Sequence, residues 1–202
     1  MTESHEPPLP HAFCWTRFGT EAGEPIEQIL DRKESERRTN GGIFFWGIGN
    51  SIAPSLSELL RRSTHPEVLF SPIKSCPRPF DVKPPRVVAW TVGETIDGEL
   101  FDLPPAVQVK SRSSERALPT LSHYALVCAS PRPLELSNLG QLSFRALRNL
   151  LSGNVLGASQ VTAVVSRLRG DHPAGGNEYR VALRADLVAP YFIRLREPVP
   201  LA

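Results

Sequence analysis

The sequence predicts an α+β fold that is rich in strand, a twisted and mostly antiparallel sheet closing toward a barrel with helices packed at its openings. Three observations carry this. Roughly eight short segments alternate in polarity, or run apolar between turn signals, as half-buried strands do. Helical periodicity occurs in three places, two of them near the N-terminus, and does not alternate with the strands, so a doubly wound parallel sheet is disfavoured. Proline makes up 20 of the 202 residues, which argues against an all-helical chain and for many punctuated strands.

Taken in order, residues 1–11 read as a flexible, Pro-rich tail, and residues 12–202 as one domain with loop insertions. Ala12 to Phe18 is the first strand, with Phe13 and Trp15 alternating with Cys14 and Thr16. Pro25 suits the first turn of a helix. That helix runs from Ile26 to about Arg38, with Ile26, Ile29 and Leu30 on one face, until Asn40-Gly41-Gly42 stops it. Ile43 to Gly47 is an aromatic strand, with Ile43 and Phe45 on one side and Phe44 and Trp46 on the other. A second helix spans Pro54 to Arg62 on the apolar face Leu56, Leu59 and Leu60. Glu67 to Ile73 and Arg86 to Val92 are strands, separated by an irregular Pro-rich loop from Ser75 to Pro85. Gly98 to Leu103 and Val107 to Lys110 are shorter strands, Ser111 to Glu115 an exposed loop, and Ser122 to Ala129 a further strand. Leu142 to Leu151 fits a third helix on Phe144, Leu147, Leu150 and Leu151, capped by Ser143. Val161 to Leu168 is expected to form a hairpin with Tyr179 to Leu183 across a turn at Gly170 to Asn177. Tyr191 to Leu195 is the last strand.

Composition narrows the function classes. A formal net charge of +2 is far from that of a strongly basic, non-specific nucleic-acid binder, and leaves room for a local basic groove. Cys14, Cys76 and Cys128 are far apart and odd in number, and the five histidines lack ligand spacing. Neither a disulfide framework nor a metal site is therefore expected, and no cofactor is called for. A reducing, cytoplasmic setting fits best. No apolar run is long enough to span a bilayer, and no signal peptide is evident.

The candidate site lies at the end of the first helix and in the strand after it. Lys33 continues the apolar face of Ile29 and Leu30, and Glu36 and Arg37 follow it round. Gly47-Ile48-Gly49-Asn50-Ser51 links the aromatic strand to the second helix, an arrangement whose free N–H groups and helix dipole suit an anion. An ordinary turn and cap is the plainer reading of that stretch.

The segment from Asp31 to Arg38 resembles the signature of the ASCH group of the PUA-like superfamily. Lys33, Glu36 and Arg38 stand at its three charged positions, and Asp31 replaces its glycine. The likeness covers about residues 12 to 50. It implies a PUA-like pseudobarrel that binds RNA, modified DNA bases or nucleosides in a cleft beside the first helix. Some relatives of this kind are small amidohydrolases acting on modified nucleosides.

Two kinds of chemistry suit these residues. As a binding site, Lys33 and Arg38 would meet phosphates while Glu36 accepts from a base amine. As a catalytic site, Lys33 and Glu36 would activate a water and Arg38 would steady an oxyanion. An ion pair on an exposed helix end is the structural alternative. Trp15, Phe44, Trp46, Trp90 and Tyr124 are candidate stacking residues, Trp46 foremost because it ends a strand before a glycine turn. Most strand aromatics are core. Ser159-Gln160 opens a strand, and its glutamine could read an adenine-like edge. The leading expectation is a non-enzymatic reader of nucleic acid or a modified nucleobase. The alternatives are a small hydrolase acting on a modified nucleoside and a protein-interaction module. The sequence leaves the oligomeric state open.

Overall fold

The structure, a computed structural model, describes residues 8–19, 25–73, 86–104, 107–111, 123–158, 160–168 and 177–200. The expected loops at 75–85 and 112–115 and the turn at 170–176 lie outside them. The chain opens with β1 (Ala12–Gly19), α1 (Ile26–Thr39), β2 (Ile43–Ile48), α2 (Ala53–Arg62) and β3 (Glu67–Ile73). It continues with β4 (Arg86–Glu94), β5 (Leu100–Asp102), β6 (Gln108–Ser111) and β7 (His123–Ala129). β8 (Gly140–Ser143), one 3-10 turn (Phe144–Ala146), β9 (Leu147–Asn149), β10 (Thr162–Arg167), β11 (Glu178–Val181) and the long β12 (Leu183–Pro200) complete it. No helix among the described residues is long and apolar enough to cross a membrane.

The main sheet runs β2-β7-β12-β3-β1-β10-β9, with β4 paired to β12 and carrying β5 and β6. It is antiparallel except where β1 runs parallel to β3, Cys14 opposite Val68 and Arg17 opposite Ser71. The path is open, with β2 and β9 at its ends. The expected strand-rich α+β class stands; a closed barrel is not what these pairings make.

Period-two alternation divides the strand side chains between two faces. Cys14 and Phe18 of β1, Phe44 and Trp46 of β2, Val68 and Phe70 of β3 and Leu126 and Cys128 of β7 build one core with Ile29 and Leu30 of α1 and Leu56 and Leu59 of α2. The other face is covered at two places. Phe45, Trp90, Ala125, Val127 and Ile193 form a cluster with Leu103 and Val107. Phe13, Trp15, Leu69 and Val165 form another with Leu142, Leu147 and Val181. Leu9 packs against this last cluster, and the His11 carbonyl accepts from Arg167 N–H, so residues 8–11 of the expected tail lie along the domain.

Both N-terminal helices form where the sequence places them. The end of α1 is a tight turn: Gly41 takes φ 62° and the Gly42 N–H reaches back to the Arg37 carbonyl, the left-handed C-terminal cap that glycine permits at no steric cost.

Three expectations need correction. Leu142 to Leu151 is no helix, and Ser143 caps nothing. Leu142 and Leu147 pack on one face of the sheet, Leu150 enters the core on the other, and Leu151 stays exposed. Leucines at helical spacing here serve three different surroundings, and tertiary packing overrides the local period. β11 pairs not with β10 but with β8, in a separate two-stranded sheet; β10 lies between β1 and β9. Tyr191 to Leu195 is an inner stretch of β12, whose pairing with β7 shifts between Leu187 and Phe192.

Candidate functional site

The buried stripe of α1 does not stop where its side chains become charged. Lys33 is 3% exposed and Glu36 1%. Lys33 Nζ donates to Glu36 Oε2 at 2.7 Å. The backbone N–H of Phe45 donates to Glu36 Oε1, also at 2.7 Å. β2 is an end strand of the sheet, so its outer amides have no neighbouring strand among the described residues. Glu36 supplies an acceptor to one of them and a counter-charge to Lys33 at once. Burial pushes the Lys33 ammonium below its ordinary pKa, and the Glu36 carboxylate pulls it back. Both oxygens of Glu36 are thus engaged inside the fold. The pair is an ion pair, as the plain alternative expected, but it is buried rather than set on an exposed helix end.

Arg38 parts from this pair. Its side chain is 72% exposed, and its Nε donates to Glu34 at 2.8 Å. Glu34 also takes two hydrogen bonds from Arg37, at 2.7 and 2.9 Å, and one from the Leu134 N–H at 3.0 Å. Arg37 donates to the Ser130 carbonyl. This second carboxylate ties α1 to the chain that follows β7. Its pKa is lowered to about 2, first by the Arg37 hydrogen bonds, with Leu134 and Arg38 adding and burial opposing.

Trp46 faces the same core as Ile29 and Leu30, but it is 7% exposed and packed edge-on against Phe70 (4.7 Å) and Phe18 (5.3 Å). Lys33, Glu36, Arg38 and Trp46 therefore do not gather in an open cleft. Phe44 is core, and Tyr124 stacks on Phe192 at 5.2 Å. Trp90 is buried beside His123, ring centroids 4.8 Å apart. After the half-buried Gly47, Gly49, Asn50 and Ser51 are exposed. α2 begins behind them with Pro54 in its first turn and no side-chain cap from its N-cap residue. Ser51 Oγ stands 3.4 Å from the Ala53 N–H. Gln160 Nε2 donates to the Thr162 carbonyl, and Ser159 lies outside the described residues.

The arrangement that the sequence reading passed over is centred on Arg17. This residue is 5% exposed, and no carboxylate pairs with it among the described residues. Its Nη1 donates to Tyr179 Oη and its Nη2 to the Ala158 carbonyl, both at 2.9 Å, and Nη2 also to the Gln160 carbonyl. The guanidinium lies 5.6 Å from the Trp15 ring centroid and 5.4 Å from that of Tyr179. Trp15 itself is fully buried, and its Nε1–H donates to Ser71 Oγ at 2.9 Å. Arg17 Nε is buried with no acceptor among the described residues. A signal for this was available: Phe13, Trp15 and Arg17 share one face of β1, so strict alternation carries a guanidinium in behind two aromatics.

Among the described residues no cluster of His, Cys, Asp and Glu could hold a metal ion. Comparison with protein-family models, with curated proteins and with solved structures finds no match to this chain.

Proposed function

We propose that this chain is a non-enzymatic reader of nucleic acid or of a modified nucleobase, on a PUA-like scaffold. The closure of the Lys33–Glu36 pair counts against hydrolysis there, and it equally takes both side chains out of the ligand contacts expected of them. A general base needs a free carboxylate oxygen within reach of a water, and Glu36 holds Lys33 with one oxygen and the Phe45 N–H with the other. The ligand class rests on the ASCH-like resemblance of residues 12 to 50. The surface that suits it is the exposed turn at Gly49, Asn50 and Ser51, where the α2 N-terminus lacks a side-chain cap from its N-cap residue and would meet a phosphate group.

Replacing Ser51 by aspartate separates folding from recognition. A carboxylate there, one residue before the N-cap Ile52, stabilises the start of α2 through the helix dipole by roughly 0.3–1 kcal/mol, yet competes with a ligand phosphate for the same N–H groups. Ser51→Asp is expected to raise the unfolding midpoint while weakening oligonucleotide binding several-fold and flattening its salt dependence. Titration of tryptophan fluorescence against single-stranded oligonucleotides and free nucleosides measures both affinity and salt slope. Unchanged affinity in the stabilised variant would remove the turn from the site.

A further inference from the structure

We propose that Arg17 anchors a second binding site, for an oxyanion, the phosphate or carboxylate group of a small ligand. The argument starts from charge. An arginine is ionised at every working pH, and a buried ion is tolerated when it is paired or fully hydrogen-bonded. Arg17 is as deeply buried as Lys33, but its partners are two carbonyl oxygens, a phenol and two aromatic faces. All are neutral, so the positive charge has no counter-ion among the described residues. Its five N–H groups make three hydrogen bonds, and Nε–H has no acceptor, among the described residues. A buried donor left open is the position that an ion or a water fills.

The surroundings favour an anion with oxygen acceptors. Ser71, opposite Arg17 on the neighbouring strand, accepts from Trp15 Nε1. Its hydroxyl also has a hydrogen to donate, for which no acceptor occurs among the described residues. Arg17 Nε–H and Ser71 Oγ–H are two donors on one sheet face, beside one uncompensated charge. Of the chain around Arg17, the loop before β10 and Tyr179 reach the surface. Gly157 and Ala158 are exposed, Tyr179 is half-buried, and a Cβ placed on Gly157 would meet nothing within 4 Å. Trp15, fully enclosed, is part of the wall rather than a stacking platform. This site is independent of the exposed turn before α2, and neither needs the other.

The test reads the Arg17 Nε–H directly in the full-length chain. Its arginine-side-chain ¹⁵N–¹H resonance is assigned by its loss in Arg17→Lys. Inorganic phosphate, acetate and adenosine monophosphate are then titrated against chloride at matched ionic strength. The expected result is a saturable shift of this resonance, with slower hydrogen exchange, for at least one oxyanion and not for chloride. Phosphate without acetate identifies a phosphoryl ligand, and acetate without phosphate identifies a carboxylate. Arg17→Lys keeps the charge and removes the Nε donor, so its affinity, followed by tryptophan fluorescence, should fall at least tenfold. Tyr179→Phe keeps the ring and releases one Arg17 donor, and should bind the same oxyanion at least as tightly as the parent chain. A resonance that no oxyanion moves, or equal oxyanion affinity in Arg17→Lys, would overturn the proposal and leave Arg17 a strut between β1, β11 and the loop before β10.

Discussion

Lys33 and Arg17 are both cations enclosed by the same domain, and they are held in opposite ways. Lys33 has its counter-charge three residues away on its own helix, and that carboxylate is fixed in turn by a strand amide. Arg17 is surrounded by oxygen and ring partners from β1, the loop before β10 and β11, none of them charged. Burial alone therefore says little about what a charged group is for. A cation with its counter-charge beside it inside the fold is finished as structure. A cation with an open donor and, among the described residues, no counter-ion is where we propose that a ligand binds.

Breaking the Lys33 pair should make Lys33 resemble Arg17, and this is the largest effect expected. Glu36→Ala leaves an ammonium buried without its carboxylate and a strand amide without its acceptor. It should cost roughly 3–5 kcal/mol of stability, read as a fall in the urea midpoint at unchanged slope. The double variant Lys33→Met, Glu36→Gln removes both charges while keeping an acceptor for the Phe45 N–H. It should recover most of the loss, because the penalty belongs to the unpaired ion rather than to the missing pair. A double variant as unstable as Glu36→Ala would contradict that account.

Glu34 sharpens the comparison at intermediate exposure, since it and Arg37 are each 14% exposed. Its carboxyl titrates at about 2 in the fold against an ordinary 4.5. Between those values the unfolded chain binds more protons than the folded one. The contribution is therefore complete above pH 4.5 and is lost as pH falls toward 2. With solvent screening allowed for, it amounts to roughly 1–2 kcal/mol. Glu34→Gln should remove that part of the acid limb, measured by denaturant titrations at several pH values. An acid limb of unchanged steepness would place the stabilisation elsewhere.

Arg38 marks the exposed end of the series. Its charge is solvated whether or not Glu34 is near, so Arg38→Ala should change stability by less than about 0.5 kcal/mol. A larger loss would mean that exposure is a poor guide to how much these pairs matter.

The sequence was most legible where the signal is local. The stop at Asn40-Gly41-Gly42, the apolar stripe of α1 and the bounds of β3 at Glu67 and Ile73 all follow from residues a few positions apart. The same logic failed at Leu142 to Leu151, where a helical spacing of leucines is divided between opposite faces of a sheet. It also paired β11 with the wrong strand, because proximity in the chain favours a hairpin whereas the register joins Glu178–Val181 to Gly140–Ser143.

For the candidate site, local spacing was enough to say which side chains share a face. Lys33 and Glu36 on the stripe of Ile29 and Leu30, Phe44 with Trp46, and Phe13 with Trp15 and Arg17 all follow from periods of 3.6 and 2. Whether a face is open or closed was decided only by the tertiary structure, because enclosure depends on what distant segments lay against it. β2 turned the end of α1 from an expected cleft lip into a sealed ion pair. Tyr179 and the carbonyls of Ala158 and Gln160, more than a hundred residues along the chain, enclosed Arg17 without neutralising it. Periodicity orients a side chain, whereas its solvation and its counter-charge are set by contacts that no local pattern encodes.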